Sequence, residues 1–361
     1  TLEFCGPCFI KLGQWISTRP DLFSEDFCES MSKLHNQCPT HSYRETREVI
    51  EKTLGQSIDE VFLQFDPAPL ASGAIAQVHK ATLKDGTEVA VKVRHPNSAP
   101  SVAVDLAILD TTARVISWLP GMQFLSLVDA VEQFSTSMSR QLNLFIEAQH
   151  LLRFRENFHE IQEIIFPKPY LQYSSKAVLV ESFERGLPVA NFFLTDKAIE
   201  LNRKDPAKHP FPSINHVLAQ IGLNAYMKMM LIDFFVHADL HPGNILVQLP
   251  PDAQHNKKAL PKLVFLDVGL VAEFTESDSQ HFVELFKAIV KGDGLKGAEL
   301  MCKYAKVPPK FKNKQQEEEF KQKMASLFAS VREKKLSQVD VGEFLGSVLG
   351  LMRTYRVTIE G

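Results

Sequence analysis

The chain has 361 residues, of which 45% are hydrophobic and 23% are charged, the balance of a globular protein with a full core. Its length indicates one large domain or two of ordinary size. Forty Lys+Arg against 43 Asp+Glu give a net charge of −3, which excludes a polycationic nucleic-acid binder. The longest apolar stretch, 221–236, contains Lys228 and Asp233, so no membrane-spanning helix is predicted.

The ends of the chain and its cysteines bear on its processing and redox chemistry. The chain begins with Thr1 rather than Met, and we interpret it as a fragment whose targeting peptide, if it has one, would lie upstream. Five cysteines do not make a disulfide framework. Cys5 and Cys8 form a C-x-x-C pair with no preceding strand. Since the redox motif needs that strand, we interpret the pair as structural.

The first part of the chain changes from helical to extended character. Residues 3–54 show helical spacing of apolar side chains, and Ser42 with Glu45 forms a capping box at the start of the last helix of this stretch. Three strands are then predicted, the last two joined by an Asp-Gly turn; they cover 62–70, 75–83 and 88–94.

The rest of the chain is mostly helical, with short strands between the helices. Helices are predicted over 102–158 with one break at 119–121, over 214–234, and from 276 to the end. Short strands are predicted over 170–173, 177–183, 245–249 and 263–266, with a polar loop at 237–244 and another at 250–261. This order of elements predicts a two-lobed α+β enzyme.

The strongest chemical signal is the loop 237–244, His-Ala-Asp-Leu-His-Pro-Gly-Asn, read together with Asp267-Val-Gly269. Phosphoryl transfer needs a carboxylate that orients or deprotonates the acceptor, and oxygen ligands for Mg²⁺. Asp239 and Asn244 have the spacing of a kinase catalytic loop, and Asp267 follows where the metal-binding aspartate of the kinase Asp-Phe-Gly motif belongs. Either motif alone could be an ordinary polar turn, but their order and spacing together favour phosphoryl transfer.

A lysine and a loop of small residues give the second signal. Val-Ala-Val-Lys92 lies on a predicted strand and matches the nucleotide-binding lysine motif of kinases, since a lysine in an apolar strand needs a partner or a ligand. Glu147, in an apolar helical stretch, is our candidate for that partner, although a solvated helix face would also explain it. Upstream lies a loop whose small residues let backbone N–H groups approach phosphates: Ala71, Ser72, Gly73, Ala74, Ile75, Ala76 and Gln77.

Together with Lys11-Leu-Gly-Gln14 near the start of the chain, these motifs resemble the UbiB or aarF-domain atypical kinases. Five motifs occur in the order of that family, from about Phe9 to Gly269. The resemblance implies a two-lobed, protein-kinase-like α+β fold. Its parts would be a helical N-terminal extension at 1–60, an N-lobe with long inserted helices at 61–184, and a mostly helical, C-terminally incomplete C-lobe at 185–361.

The resemblance also implies a role for each motif residue, with ATP and Mg²⁺ as cofactors. Lys92 would contact the phosphates with Glu147 as its partner, Asp239 would be the catalytic-loop aspartate, and Asn244 and Asp267 would bind the metal. The small-residue loop would hold the phosphates.

Two further pairs complete the predicted site. Glu181 and Ser182 would form the hinge beside the nucleotide, although the family usually has Met-Glu there. Lys11 and Gln14 would form the regulatory N-terminal pair, on a helical extension that packs over the active site.

The family is linked to ubiquinone (coenzyme Q) biosynthesis and lipid homeostasis, and to ATPase rather than protein-kinase activity. The partners expected from this are ATP, lipid or quinone precursors, the coenzyme Q biosynthetic machinery and the membrane surface, but no nucleic acid. The resemblance implies a mitochondrial location, with a chloroplast or a bacterial cytoplasm as alternatives. Only about seven residues separate Gly269 from the next predicted helix, which leaves no room for a peptide-docking activation segment and favours a non-protein substrate.

One departure from the family leaves other interpretations open. Gln141 and Asn143 stand where the family commonly has Glu-x-Asp, and amides lack the carboxylate charge that would bind a metal. A non-catalytic pseudokinase that binds nucleotide or lipid is therefore one alternative, against which the intact Lys92 and Asp239 argue. A small-molecule phosphotransferase of the aminoglycoside or choline kinase type is the other, against which Lys11-Leu-Gly-Gln14 and the alanine-type loop argue.

Overall fold

A computed structural model describes residues 7–17, 25–32, 40–118, 127–193, 211–249, 260–305, 311–332, 341–355 and 357. The chain forms two compact units. The first contains Glu3–Lys11 and Asn36–Glu273, and the second contains Leu12–His35 and Phe274–Gly361. Helix α1 contributes residues to both units.

The helices of the described residues are, in chain order, α1 (Pro7–Ser17), α2 (Glu25–Ser32), α3 (Tyr43–Leu54), α4 (Ile58–Val61), α5 (Ser98–Ser117), α6 (Leu127–Gln141), α7 (Leu144–Asn157), α8 (Phe211–Lys228), α9 (Glu276–Lys291), α10 (Gly294–Lys303), α11 (Lys314–Arg332) and α12 (Val341–Tyr355). The strands are β1 (Phe62–Ser72), β2 (Ala76–Leu83), β3 (Glu88–Arg94), β4 (Ile164–Ile165), β5 (Val178–Ser182), β6 (Leu187–Pro188), β7 (Phe235–His237), β8 (Ile245–Gln248), β9 (Lys262–Phe265) and β10 (Val271–Glu273).

An antiparallel sheet of four strands, in the order β1-β2-β3-β5, dominates the first part of unit 1. Alternate β3 residues Val89, Val91 and Val93 are fully buried and share a hydrophobic cluster with Ile50 of α3. Since side chains alternate across a strand, Lys92 lies on the opposite face of this sheet. One face of β3 thus supplies the core, and the other supplies the candidate site.

Two smaller sheets position the polar loops of unit 1. Strands β4-β9-β8-β6 form a mixed sheet, and β7 pairs with β10. The β8–β9 pairing continues into a hydrogen bond from Leu266 N to Asn244 O of 2.9 Å. The ends of these two strands therefore place Asn244 directly beside the residue before Asp267.

The second unit has a helical core. Buried side chains of α10, α11 and α12 form one cluster around Phe320, Met324 and Phe328. Helices α10 and α11 approach closely at Gly294, where an added Cβ would lie 2.4 Å from Ala325 Cα. Glycine is required there because no larger residue fits between the two backbones.

Most predicted elements are confirmed, and two predictions are wrong. Tyr170–Tyr173 is not a strand: Leu171–Tyr173 is a 3-10 turn, since i→i+3 hydrogen bonds such as Tyr173 N to Tyr170 O (3.0 Å) close it locally. The helical run 102–158 has a second break at Leu142, so that α6 and α7 are separate helices. The capping box of Ser42 and Glu45 is confirmed at the start of α3.

Some predicted features lie outside the described residues: Cys5, the helix break at 119–121 and most of the loop 250–261. Cys8 is described and is fully buried in α1. Among the helices that the structure describes, none is both long and apolar enough to cross a membrane.

Candidate active site

Lys92 lies at the centre of the candidate active site, bound to two carboxylates. Its Nζ donates to both oxygens of Glu147 at 2.9 Å and lies 3.3 Å from Oδ2 of Asp267. The Glu147 side chain is only 5% exposed, whereas that of Asp267 is 44% exposed and open to a ligand. These three side chains, which lie far apart in the chain, are neighbours in the structure.

Burial and mutual charge set the protonation of this group. Burial alone lowers the pKa of Lys92, but the charges of Asp267 and Glu147 outweigh it and raise that pKa. Burial is also the main reason why the pKa of Glu147 rises to about 7, despite Lys92 beside it. Burial likewise favours a higher pKa for Asp267, but Lys92, the Gly269 N–H and the charge of Lys11 hold it below its usual range. Lysine and Asp267 are thus ionised at neutral pH, and Glu147 is poised to gain a proton.

Helix α7 carries Glu147 to this point and holds the Asp267 turn as well. Asn143 caps the helix by accepting a hydrogen bond from Phe145 N (3.2 Å). One turn after Glu147, His150 Nδ1 donates to the carbonyl of Val268 at 2.9 Å. Sequence reasoning missed His150, and its only signal was its i+3 position on the Glu147 face of the helix.

Gln141 is the last residue of α6, and its amide nitrogen lies 3.4 Å from Ser137 Oγ. The hydrogen bonds of Gln141 and Asn143 are therefore local, at the junction between α6 and α7. Neither side chain brings a charge to the site.

The polar loop 237–244 is held against the Asp267 turn by backbone pairing. Ala238 N donates to Leu270 O at 3.0 Å, next to the pairing of β7 with β10. Nδ1 of the buried His237 accepts from Asp239 N at 3.1 Å, which fixes the start of the loop. Burial lowers the pKa of His237, so a neutral imidazole supports the loop. Asp239 itself is half-buried and within reach of a ligand.

The residues predicted to hold Mg²⁺ have the chemistry that this ion needs. Nδ2 of Asn244 donates to the carbonyl of Asp239 at 3.5 Å, which leaves the amide oxygen as the group that can bind a cation. Oδ1 of Asp267 accepts from Gly269 N at 3.0 Å, and the carboxylate keeps further lone pairs. Mg²⁺ prefers such oxygen ligands. Glu147 and Asp267 bring two negative charges to Lys92, so a divalent cation would also balance charge.

The small-residue loop joins β1 to β2 at the edge of the site. Gly73 N donates to Ala76 O, and His95 closes the loop by bonding Ile75 O through its N–H and Gly73 O through Nε2, all at 2.9 Å. Gln77 is fully buried, and its amide bonds His41 and Thr46 rather than the Lys92 face. Gln77 therefore leaves only its backbone for a ligand, and its side chain belongs to the core beneath the loop.

The two hinge residues of β5 face different partners. Glu181 pairs with Ala90 of β3, on the same face of the sheet as Lys92, and is 9% exposed. Ser182 donates from Oγ to Glu184 at 2.7 Å and bonds the Lys168 backbone. The structure thus brings Glu181, but not the Ser182 side chain, to the face that carries Lys92.

Helix α1 contributes one of its two predicted residues to this group. The positive charge of Lys11 helps to lower the pKa of Asp267, so its ammonium group lies within electrostatic reach of that carboxylate. Gln14 is half-buried on the same helix but falls in the second unit. The role predicted for Gln14 stays a prediction.

The chain is similar to known proteins over nearly its whole length. Residues 33–301 match the model of the ABC1 atypical kinase-like domain. A probable serine/threonine-protein kinase, abkC of Dictyostelium discoideum, is 42% identical over 100% of this chain and 58% of its own length. A mitochondrial ABC1 family protein of Schizosaccharomyces pombe is 33% identical over 99% of this chain and 59% of its own. A probable protein kinase UbiB of Tolumonas auensis is 31% identical over 99% of this chain and 62% of its own length.

These comparisons also limit what is shown, because the chain spans about 60% of the length of such curated relatives. Among solved structures, a complex of Rv3197 with erythromycin from Mycobacterium tuberculosis covers 94% of this chain and 87% of its own, with a TM-score of 0.53 and 20% identity. That likeness supports the fold alone and confirms the predicted two-lobed, protein-kinase-like α+β architecture. The match of residues 33–301 to the family model and the relatives that are 31–42% identical show that the chain belongs to the ABC1/UbiB family of atypical kinases.

Proposed function

We propose that the protein is an ATP- and Mg²⁺-dependent atypical kinase-fold ATPase or phosphotransferase that does not act as a protein kinase in trans. The observation that carries this proposal is the ion-paired group of Lys92, Glu147 and Asp267, with Nζ–O distances of 2.9 and 3.3 Å. Phosphoryl transfer requires this lysine–glutamate pair and this aspartate to be in place together. Positioning and charge, rather than covalent chemistry, would provide the catalysis.

Each residue of the site has a distinct task in this proposal. Lys92 binds phosphate oxygens, and Glu147 holds its ammonium group in place. Asp239 orients the acceptor hydroxyl or water and takes up its proton. Asn244 and Asp267 would hold Mg²⁺, which neutralises the charge of the transferring phosphate when it is bound. The backbone N–H groups of the 71–77 loop provide further donors to phosphate.

We further propose that this activity supports ubiquinone (coenzyme Q) biosynthesis or lipid homeostasis in mitochondria, with lipid or quinone precursors as partners. The relatives support this in two ways. Those of Schizosaccharomyces pombe and Saccharomyces cerevisiae are named as mitochondrial, and the bacterial ones are named UbiB. Turnover measured with and without membrane vesicles and quinone precursors tests this part of the proposal.

A thermal-shift titration with Mg-ATP tests nucleotide binding itself. A ligand at a hundredfold excess over Kd stabilises the folded state by about 2.7 kcal/mol, so wild type should show a clear rise in Tm. Asp267→Asn should lose most of that rise, because it removes the charge opposite Lys92, while the exposed Asp26→Asn should keep it. Equal shifts in wild type and Asp267→Asn, or no shift in either, would contradict the assignment.

Lys11 would restrain turnover from helix α1. Because its charge lies within reach of Asp267, Lys11→Ala should change ATP turnover or autophosphorylation without loss of the fold, and Gln14→Ala should act in the same way. The exposed Lys52→Ala on α3 is a matched control. Wild-type turnover in both α1 variants would return Lys11 and Gln14 to a structural role.

A further inference from the structure

Glu181 lies on the ligand-facing side of the main sheet of unit 1, where an acidic side chain is unexpected. In the antiparallel pairing of β3 with β5, Glu181 is opposite Ala90, and Leu179 is opposite Lys92. Residues two apart on a strand share a face, so Glu181 lies on the same face as Lys92. The neighbouring residue Val180 points the other way, into the hydrophobic cluster.

One oxygen of this carboxyl group has nothing to bind. The Glu181 residue is 9% exposed, and its Oε2 has no hydrogen-bond partner among the residues that the structure describes. A buried polar atom without a partner destabilises the folded state, because it has lost its hydrogen bonds to water. Such atoms are rare in native proteins, and a bound ligand is one explanation for them.

The charges around Glu181 restrict which ligand atom it can accept. The side chains that act on it electrostatically include Glu147, Lys92 and Asp267. Lys92 is already bound to both oxygens of Glu147 and lies 3.3 Å from Asp267. An N–H donor of the ligand would satisfy the free Oε2 of Glu181, whereas a phosphate oxygen, which is itself an acceptor, would not.

We propose that Glu181 is a specificity-determining residue that selects a purine carrying an exocyclic amino group, as adenine does. The inference rests on the proposed function, since it assumes that a nucleoside triphosphate places its phosphates at Lys92. The base then extends along the same sheet face towards β5, and its amino group donates to Oε2 of Glu181.

The protonation of Glu181 agrees with this recognition. Burial first, and then the negative charge of Glu147, raise the pKa of Glu181 well above its ordinary value. A neutral carboxylic acid has one acceptor and one O–H donor. Adenine presents a matching amino donor next to a ring nitrogen acceptor, so the neutral acid can form both hydrogen bonds.

The experiment compares Mg-ATP with the magnesium complex of purine riboside 5′-triphosphate, which lacks the amino group, by titration calorimetry on the full chain. Wild type should bind the analogue about tenfold more weakly or worse, because a site built for a donor rejects a ligand without it. Glu181→Met should bind the two nucleotides within about threefold of each other. Glu181→Gln, which keeps an acceptor oxygen, should retain most of the discrimination, and the exposed Glu160→Met should retain all of it.

The possible results separate this inference from the function on which it rests. Equal binding of ATP and the analogue by wild type overturns the role of Glu181 and leaves the nucleotide site intact. Undiminished discrimination in Glu181→Met also overturns it. No binding of either nucleotide by wild type overturns the proposed function and this inference together. If Glu181→Met does not fold, Glu181→Leu takes its place with the same expected loss of discrimination, and undiminished discrimination in that variant overturns the role of Glu181.

Discussion

At the scale of single residues, Lys92 has to balance more negative charge than it carries. Glu147 and Asp267 both contact it, and Glu181 adds a third carboxyl group nearby. Burial first, and then the charge of Asp267, raise the pKa of Glu147 to about 7, although Lys92 opposes this rise. A divalent cation such as Mg²⁺ would balance the remaining negative charge of the group.

Glu147→Gln tests the role of the negative charge of this residue, because glutamine has nearly the same shape but no charge. The amide keeps one hydrogen bond to Lys92 but loses the charge that holds the ammonium group on the strand, so we expect ATP turnover to fall about tenfold or more. The exposed Glu160→Gln should leave turnover unchanged. Steady-state ATP hydrolysis with matched circular dichroism spectra measures both, and full activity in Glu147→Gln would contradict the role of the pair.

A second group of residues, beneath the 71–77 loop, is joined by hydrogen bonds between its side chains. His95 Nε2 lies 2.9 Å from the Gly73 carbonyl, which can only accept, so His95 Nε2 is the donor. The Nδ1 atoms of His41 and His95 lie 2.7 Å apart, so one of them donates to the other. The other ring nitrogen of His41 lies 3.0 Å from Thr46 Oγ1. This network supports the loop from below.

The free energy of unfolding should depend on pH because of His41. Burial first, and then the charge of His95, lower the pKa of His41 to about 4 in the folded state, against about 6.5 in the unfolded chain. Between these values the unfolded state binds more protons, so the stability contributed above pH 6.5 is lost as pH falls towards 4. Urea unfolding at several pH values should show this slope.

His41→Asn removes the titrating ring and should flatten that slope, although it also lowers stability at neutral pH by removing hydrogen bonds. The solvent-exposed His159→Asn is the matched control and should leave the slope as in wild type. The same slope in His41→Asn as in wild type would show that other groups cause the pH dependence.

At the scale of elements, helix α7 shows which contacts of the candidate site could be predicted from the sequence and which could not. Glu147 could be predicted because an acid in an apolar helical stretch needs a partner, and β3 supplied a lysine without one. His150 and Asn143 were missed as functional neighbours, because their partners are backbone groups: the carbonyl of Val268 and the N–H of Phe145. Hydrogen bonds to backbone leave no complementary residue type in the sequence, so pattern reasoning has nothing to match.

The short strands β7 and β10 were missed for a related reason. Each has three residues and pairs only with the other, from Val271 opposite His237 to Glu273 opposite Phe235. Neither strand is long enough to show an alternation of apolar and polar residues, and their pairing is decided by the tertiary fold. The strands β1, β2, β3 and β5 were predicted because each is at least five residues long and extended in character, with turn signals such as Asp85-Gly86 between them.

Close helix packing in the second unit gives a stability prediction with its own control. Gly294→Ala should destabilise the protein by about 1–3 kcal/mol, because its Cβ would meet the backbone of α11 at 2.4 Å. Gly350, inside α12, has no atom within 4 Å of an added Cβ, and Gly350→Ala should stabilise by about 0.5–1 kcal/mol through helix propensity. Chemical denaturation of the full chain measures both; changes of the same sign would contradict the packing.

At the scale of the whole molecule, the segment that follows the candidate active site is short. After Asp267 and Gly269 it enters β10, which is paired with β7 next to the catalytic loop, and α9 begins at Glu276. In the described stretch 260–305 no long loop follows Asp267 that could bind a peptide acceptor. For the phosphoryl transfer proposed above, we expect water or a small molecule as the acceptor.

We expect no phosphorylation of generic protein substrates, since the described stretch after Asp267 contains no long segment that could align a peptide hydroxyl with Asp239. Incubation with labelled ATP and casein-like acceptors should give no more incorporation than the Asp239→Asn variant does, while ATP hydrolysis by wild type continues. Asp239→Asn is the matched control because it removes the group that would accept the hydroxyl proton and nothing larger. Strong labelling of the acceptors that disappears in Asp239→Asn would contradict this and make the short segment after Asp267 sufficient for peptide binding.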